Sequence, residues 1–417
     1  MDLTQKFEKI KKCRISNSEN LLEILHLGSQ PLANSLKKER NDKEDRYPLS
    51  ISFCPESSLL QLNETIDKKV LFEDYVWVTG TSETAREYSV VFADRIIAVA
   101  NVSTADFIVE IASNDGTFLK PFLDRGYRNI LGVDPAKNLV ERANKQGIRS
   151  LAEFWSSAIA SELVYRHGNA KLVIARNVIP HVSDLIDVIK GIFKILREDG
   201  VGVIEFHNAG KIQEELHYDS IYHEHLCYFS IKSMTYLLNQ QGLHPFHIEK
   251  SSISGGSLVI YFSKEQKDRS AELDHAIQVE EEKKVNDLMM WQAFANRAVA
   301  HRKKTIEILS SLEGKNIIGF GSSARSQTYL NYCGIHSHHM AAIIDNNPLK
   351  QGLFAPGSSI PIIDINSGLE LKPDLIFILA WNFCDEIAKE CLKAGYKGDF
   401  LLPFPNEPYF LRNNEIF

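Results

Sequence analysis

Apolar and polar positions between residues 106 and 263 fall into two alternating kinds of block. The runs "DFIVEIA", "NILGVD", "AKLVIAR" and "GVGVIEFH" are almost wholly apolar, and between them lie "GTFLKPFLDRG", "KNLVERANKQG" and "SDLIDVIKGIFKILRED", which carry helical spacing. Apolar runs of this length suit strands covered on both faces, and helices between them make the crossovers of a parallel sheet. "GGSLVIYFS" closes the block and is expected at the sheet edge. Ahead of the block, "TSETAREYSVVFADRIIAVANV" reads as a helix, with Ser82 as its cap and Glu83 and Glu87 in or near its first turns.

The flanks differ in texture. Residues 1–74 are short and irregular, with a strand-like "LSISF" and a charged loop, "KKERNDKEDR", expected on the surface. Residues 264 to 312 form a long amphipathic helical connector, whose acidic run "QVEEEKKVND" is expected to be a solvated face. A second, shorter α/β series follows in "NIIGFG", "MAAIIDN" and "LIFILAW". Three parts are therefore expected: a module over 1–74, an α/β domain over 75–263, and the connector with a second α/β domain over 264–417.

Composition narrows the class. With 44% hydrophobic and 24% charged residues among 417, the chain has ample material for a buried core. A net charge of −7 gives no electrostatic reason to expect nucleic acid. No apolar run approaches the roughly 20 residues of a membrane span, and "MDLTQKFEKIKKCR" lacks the apolar stretch of a secretory signal. Six scattered cysteines make no disulfide framework, so a cytoplasmic protein with reduced thiols is expected.

Chemistry concentrates at the strand ends. "VEIASNDGTFL" joins a strand, a polar turn and a helix start, where exposed N–H groups can hold a polar cofactor group. Ala112, Ser113 and Asn114 occupy the turn, so it is not GxGxxG. Asp134, before Pro135 at the end of the next strand, is placed like the acid that accepts from ribose hydroxyls. In "ARNVIPHVSDL" a third strand ends at Asn177, and His181 follows one turn later. The stretch "DSIYHEHLCYFS" sets Tyr222, His223, Glu224 and His225 side by side. On a strand Glu224 would point away from both histidines, and no HExxH pattern is present. Proton transfer is favoured over metal binding, with His223 structural.

"VEIASNDGTFL", "LGVDP", "ARNVIPHVSDL" and "DGVGVIEF" resemble the successive motifs of class I S-adenosylmethionine-dependent methyltransferases. More narrowly, "YHEHLCYFS", "GGSLVIYFS", "GFGSSARSQTYLNYCGI" and "IIDNNPLKQGLFAPGSSIPI" resemble the C-methyltransferases of nucleotide-activated keto-deoxysugars, from about residue 13 onward. The resemblance implies an α/β chain with a class I methyltransferase Rossmann-like core, a small N-terminal module and a C-terminal Rossmann-like α/β domain. It implies S-adenosylmethionine as cofactor and a nucleotide-linked keto-deoxysugar as partner. Asp134 and Pro135 would serve the cofactor ribose and the 112–116 turn, with Gly116, its methionine portion; Asn177 and Phe154 would lie near the sulfonium or adenine. His225 would be the base, Tyr222 and His181 enolate contacts, Glu224 an orienting group, and Tyr75 a further aromatic contact.

The family usually holds zinc in its N-terminal module through two CxxC pairs. Here "CRIS" and "CPES" keep Cys13 and Cys54 but put Ser16 and Ser57 at the partner positions, so zinc is expected to be absent, with His26 the one conceivable substitute ligand. In "IIGFGSSARSQTYL", Gly319 and Gly321 permit close backbone approach and Arg325 adds a cation. By resemblance Gly321, Arg325 and Asn331 belong to a lobe that helps hold the sugar nucleotide. Two other readings compete: a nicotinamide-dependent sugar oxidoreductase, opposed by the lack of a full GxGxxG, and a non-catalytic nucleotide-sugar binder, opposed by the intact YHEH string.

Overall fold

The computed structural model describes residues 7–67, 70–71, 78–251, 253 and 255–413. Seven strands form the central sheet: β1 (Ile108–Ile111), β2 (Ile130–Asp134), β3 (Ser150–Ala152), β4 (Ala170–Arg176), β5 (Leu196–His207), β6 (His244–Lys250) and β7 (Ser257–Ser263). Their spatial order is β6-β7-β5-β4-β1-β2-β3. The five strands from β3 to β5 run parallel, whereas β7 is antiparallel to both neighbours. Chain order reverses between β1 and β4, which opens a crevice at their carboxyl ends. The class I methyltransferase core implied by the sequence is the fold observed.

Alternation along the strands explains the near-continuous apolar runs. Ile108, Leu172, Ile174 and Val203 enter one hydrophobic cluster, while Val109, Val173, Ala175 and Ile204 enter the other. The first cluster is covered by the helix Glu83–Ala100 through Tyr88, Phe92, Ala93 and Ile96. Ser82 caps this helix by accepting from the Ala85 N–H, and Asn101 ends it in the left-handed region.

Two local expectations are corrected. "GGSLVIYFS" is not an edge strand: β7 lies between β5 and β6, and β6 holds the edge. Its sequence, "HPFHIEK", interleaves polar residues and Pro245 with only partly buried positions, so no apolar run marks it. The acidic run at 278–287 is not wholly solvated. Glu280 is buried and accepts from the Ile231 and Lys232 N–H groups at 2.7 and 3.0 Å, satisfying the start of the helix Ile231–Asn239.

A smaller sheet joins Leu22–Pro31, Arg46–Cys54 and Leu59–Leu62 with a fourth, two-residue strand, Cys227–Tyr228, supplied from far along the chain. The second α/β unit contains β8 (Ile317–Phe320), β9 (Ala342–Ile344), β10 (Ile362–Ile363), β11 (Leu375–Ile378), β12 (Asp399–Leu402) and β13 (Tyr409–Leu411), ordered β10-β9-β8-β11-β12-β13. The connector consists of the helices Ala271–Glu282 and Leu288–Ser311. Among the described residues no helix is long and apolar enough to cross a membrane.

Candidate active site

The carboxyl ends of β1, β2 and β4 open into a cavity of about 580 Å³, lined among others by Ala112, Ser113, Asn114, Asp134, Pro135, Phe154, Asn177 and His181. All eight were singled out from sequence. Three of them leave their strands with positive φ: Ala112 at 53°, Asn114 at 52° and Asn177 at 50°. Such conformations ordinarily fall to glycine, so the turn achieves a glycine-like backbone without the glycine fingerprint. Gly116 does not line the cavity. It sits behind the turn at φ 81°, where a Cβ would run into the Ile148 side chain.

Asp134 is buried, and its carboxylate accepts from the Asn114 and Ala136 N–H groups at 2.8 and 2.9 Å. Burial raises its pKa, and the two amide donors pull it back in part. Glu110 is also buried, and burial pushes its pKa up to about 8 against the pull of Arg176. The Arg176 guanidinium pairs instead with Glu205 at 2.6 Å and lies over the Phe118 ring. The Oε2 atom of Glu110 and the Oγ atom of Ser113 are buried without hydrogen-bond partners. Both residues belong to the cavity lining, which gives that wall a polar character suited to a ligand with polar groups.

Beside this cavity the 217–230 stretch is held from four sides. The N-terminal sheet takes in Cys227 and Tyr228, Pro48 O accepts from His223 Nε2 at 3.0 Å, and Asn34 Nδ2 donates to Glu224 Oε1 at 2.6 Å. The C-terminal lobe supplies Arg325, bidentate to Asp219 at 3.0 and 2.8 Å, and Trp381 Nε1, which donates to the same carboxylate. The connector helix bonds Tyr218 Oη to His301 at 2.9 Å. On the core side the His181 ring meets His225 edge-on at 4.8 Å. Removing one partner of a buried pair such as Asp219–Arg325 costs about 3–5 kcal/mol, so loop and lobe are strongly tied.

Within the loop the proton positions follow from the partners. His225 Nδ1 lies 3.0 Å from Ser220 O, and a carbonyl only accepts, so Nδ1 carries the hydrogen. Nε2 is then the basic nitrogen, and Tyr222 Oη donates to it at 2.6 Å. Burial, then the neighbouring His181 and His207 rings, hold the His225 pKa well below its ordinary value. Burial likewise brings His181 and His223 down to about 4. All three are neutral near pH 7. Glu224 goes the other way: burial lifts it to about 7, against the Asn34 hydrogen bond.

This gives Glu224 a stability signature. Its folded pKa lies above the ordinary 4.5, so between pH 4.5 and 7 the folded state binds more protons than the unfolded state. Stability contributed by the neutral carboxyl is lost as pH rises through that window. Glu224→Gln is therefore expected to gain stability relative to the parent between pH 4.5 and 7, with a plateau above, as read from denaturant midpoints.

The remaining expected residues fall into two groups. Tyr75 lies outside the described residues. In the C-terminal lobe, Gly321 has φ 95° and packs its α-carbon against Ala380, and Asn331 Nδ2 donates to Gln327 O and Pro356 O. Arg325 stands near the loop, but its Nε and one terminal nitrogen are committed to Asp219. Sequence reasoning missed Asp219, Trp381, His207 and His217. The buried rings of His207 and His217 stack at 5.7 Å, and Trp381 lies 4.7 Å from His217. Asp219 stands within the quoted histidine-rich stretch, but its partners are more than a hundred residues away.

Comparison with known proteins agrees with this layout. Residues 13–72 match the model of a "Putative zinc binding domain", residues 92–248 that of a methyltransferase domain, and residues 252–405 that of a C-methyltransferase C-terminal domain. The C-methyltransferase NovU of Streptomyces niveus is 29% identical over 405 residues, covering 95% of this chain and 96% of NovU. Among solved structures, an S-adenosylmethionine-dependent methyltransferase from Clostridium acetobutylicum gives a TM-score of 0.35 at 14% identity, covering 43% of this chain and 91% of its own. Magnesium protoporphyrin IX methyltransferase from Synechocystis gives 0.33 at 12%, covering 49% and 89%.

The N-terminal module does not fit the metal its match implies. Cys13 Sγ lies 3.2 Å from Ser57 Oγ, and Ser16 Oγ lies 3.5 Å from Cys54 Sγ, so the four positions are gathered as two thiol–hydroxyl pairs. Burial alone would raise the Cys54 thiol, but hydrogen bonds with Ser16 and Ser57 outweigh it and leave its pKa lowered. Two thiols and two neutral hydroxyls are a poor zinc set, and the exposed His26 turns its Nδ1 to the Gly28 N–H. Replacing Ser16 and Ser57 together by cysteine is expected to create a site for about one zinc ion per chain. Metal analysis of the purified double variant beside the parent checks this; equal zinc in both contradicts it.

Proposed function

We propose, from a chain that belongs to the S-adenosylmethionine-dependent C-methyltransferase family, that the acceptor is a nucleotide-linked keto-deoxysugar methylated at a carbon next to its ketone. The observation that carries this reading is the Tyr222–His225 pair, 2.6 Å apart, with a neutral imidazole fixed by Ser220 and set against His181 on the cofactor cavity. A carbon becomes nucleophilic only if a base removes its proton while a donor stabilises the oxygen that gains charge. Those are the two groups that this pair offers.

The cofactor cavity fits S-adenosylmethionine. Asp134 can accept from ribose hydroxyls, and the polar Glu110 and Ser113 side chains belong to the same lining. Bound there, the cofactor would supply an electrophilic methyl group, with a neutral thioether as the leaving group. On the acceptor side, the Tyr222 hydroxyl leaves Nε2 and turns to the ketone oxygen. His225 Nε2 takes the proton from the adjacent carbon, and the C–H electron pair moves to form the enolate. His225, now an imidazolium with Nδ1–H still on Ser220 O, releases that proton to solvent after transfer. His181, neutral at pH 7, is a second contact for the enolate oxygen or sugar, and Glu224 orients a sugar hydroxyl. Arg325 and the stacked His207 and His217 rings flank the same loop on the side expected to face the nucleotide.

The test is incubation with S-adenosylmethionine carrying a labelled methyl group and a panel of keto-sugar nucleotides. Labelled product on a sugar carbon supports the reading; cofactor binding with no transfer to any member opposes it.

A further inference from the structure

One side chain of the N-terminal module meets the Glu224 carboxylate directly. Asn34 Nδ2 donates to Glu224 Oε1 at 2.6 Å across 190 residues of sequence. Glu224 is buried, 4% exposed, whereas Asn34 is exposed, so the amide meets the carboxylate from the solvent side. The segment that carries Asn34 is anchored just beyond it. Lys37 pairs its backbone with Phe354, its buried ammonium donates to Arg40 O and Ser359 Oγ at 2.7 Å each, and Glu44 accepts from the Gly357 N–H. Residues 34–44 thus run from the carboxylate to the C-terminal lobe and are fixed at both ends.

We propose that Asn34 is a positioning residue for Glu224, through which the N-terminal module sets the orientation and charge of the acceptor-site carboxylate. The proposal rests on the reading of the 219–225 loop as the acceptor site. An amide suits this task because it donates to a carboxylate and, turned over, accepts from a carboxylic acid, so it accompanies Glu224 through both states. The nearby imidazoles of His181, His223 and His225 are neutral, and burial together with Asn34 accounts for the Glu224 titration near 7. This gives the module a part in acceptor handling that is independent of any metal.

The test uses the full chain with Asn34→Ala and the near-isosteric Asn34→Asp. The titration of Glu224 is followed by infrared difference spectroscopy across pH, with Glu224→Gln identifying the carboxyl band. Loss of a hydrogen bond to the charged form raises a carboxyl pKa, and a second carboxylate raises it further. The midpoint is therefore expected to move up in Asn34→Ala and by more than about one pH unit in Asn34→Asp, while the affinity for S-adenosylmethionine stays unchanged, which certifies the fold. This readout needs no turnover, so it stands apart from the acceptor assignment. With an accepted keto-sugar nucleotide, kcat/KM for that substrate is expected to fall about tenfold or more at pH 7, with KM for the cofactor unaltered. A Glu224 midpoint unmoved in both variants overturns the proposal, as does an equal loss of cofactor affinity and acceptor kcat/KM.

Discussion

Replacing His225 by alanine will abolish both methyl transfer and the exchange of the acceptor's carbon-bound proton with solvent, while leaving cofactor affinity nearly intact. The expectation follows from separation of the two sites. Asp134, Asn177 and Phe154 line the cavity, whereas His225 stands beside it, in ring contact with the lining residue His181. General-base removal typically costs about 10²–10⁴ in rate. The upper part of that range applies here because Nε2 is the one basic nitrogen of the ring, Nδ1 being tied to Ser220 O. Proton exchange, followed by NMR in deuterated water without cofactor turnover, isolates the step. Exchange at the parent rate in His225→Ala would remove the imidazole from the base role and shift attention to Tyr222.

The second large effect is at Asp134. Asp134→Asn keeps the size of the side chain but replaces one oxygen by an NH2 group, which donates and cannot accept. In the parent both oxygens are used, one on Asn114 N–H and one on Ala136 N–H, each keeps a further lone pair, and the residue lines the cavity. Hydrogen bonds to a charged group contribute about 1.5–3 kcal/mol each. Losing one such bond to a ribose hydroxyl, while turning a donor toward it, is expected to weaken S-adenosylmethionine binding by about 100-fold or more. Calorimetric titration reads it directly. Binding within a factor of about three of the parent would mean that the ribose is held elsewhere.

The sequence was most legible where one kind of residue decides the outcome locally. Strands β1, β2, β4 and the second half of β5 are short apolar runs, and burial on both faces of the sheet leaves no other use for them; the polar start of β5, residues 196–199, reads instead as the end of a helix. Strand β6 was missed because Ile248 alone among its positions is fully buried and it contains Pro245, so its pairing with β7 rather than its composition makes it a strand. The cofactor turn was legible as polar residues at strand ends, but its left-handed Ala112 was not, because nothing in an alanine announces a positive φ.

The 219–225 loop shows the same division. Tyr222, Glu224 and His225 stand together in sequence, yet what holds Glu224 and His225 comes from Asn34, Ser220 and His181, while Arg325 ties Asp219 at the start of the stretch. Pairings across 190 or 106 residues leave no local pattern. Glu280 is the converse: its acidic neighbours suggested solvent, and only the unmet N–H groups of Ile231 and Lys232 explain its burial.

The most direct measurement is a labelling experiment on the parent protein. S-adenosylmethionine with a carbon-13 methyl group is incubated with a nucleotide-linked keto-deoxysugar, and the product is mapped by NMR and tandem mass spectrometry. The account predicts the labelled methyl bonded to the carbon beside the ketone, with that carbon's original hydrogen gone. A label found on oxygen or nitrogen, or a fully bound substrate pair that gives no product, would contradict it.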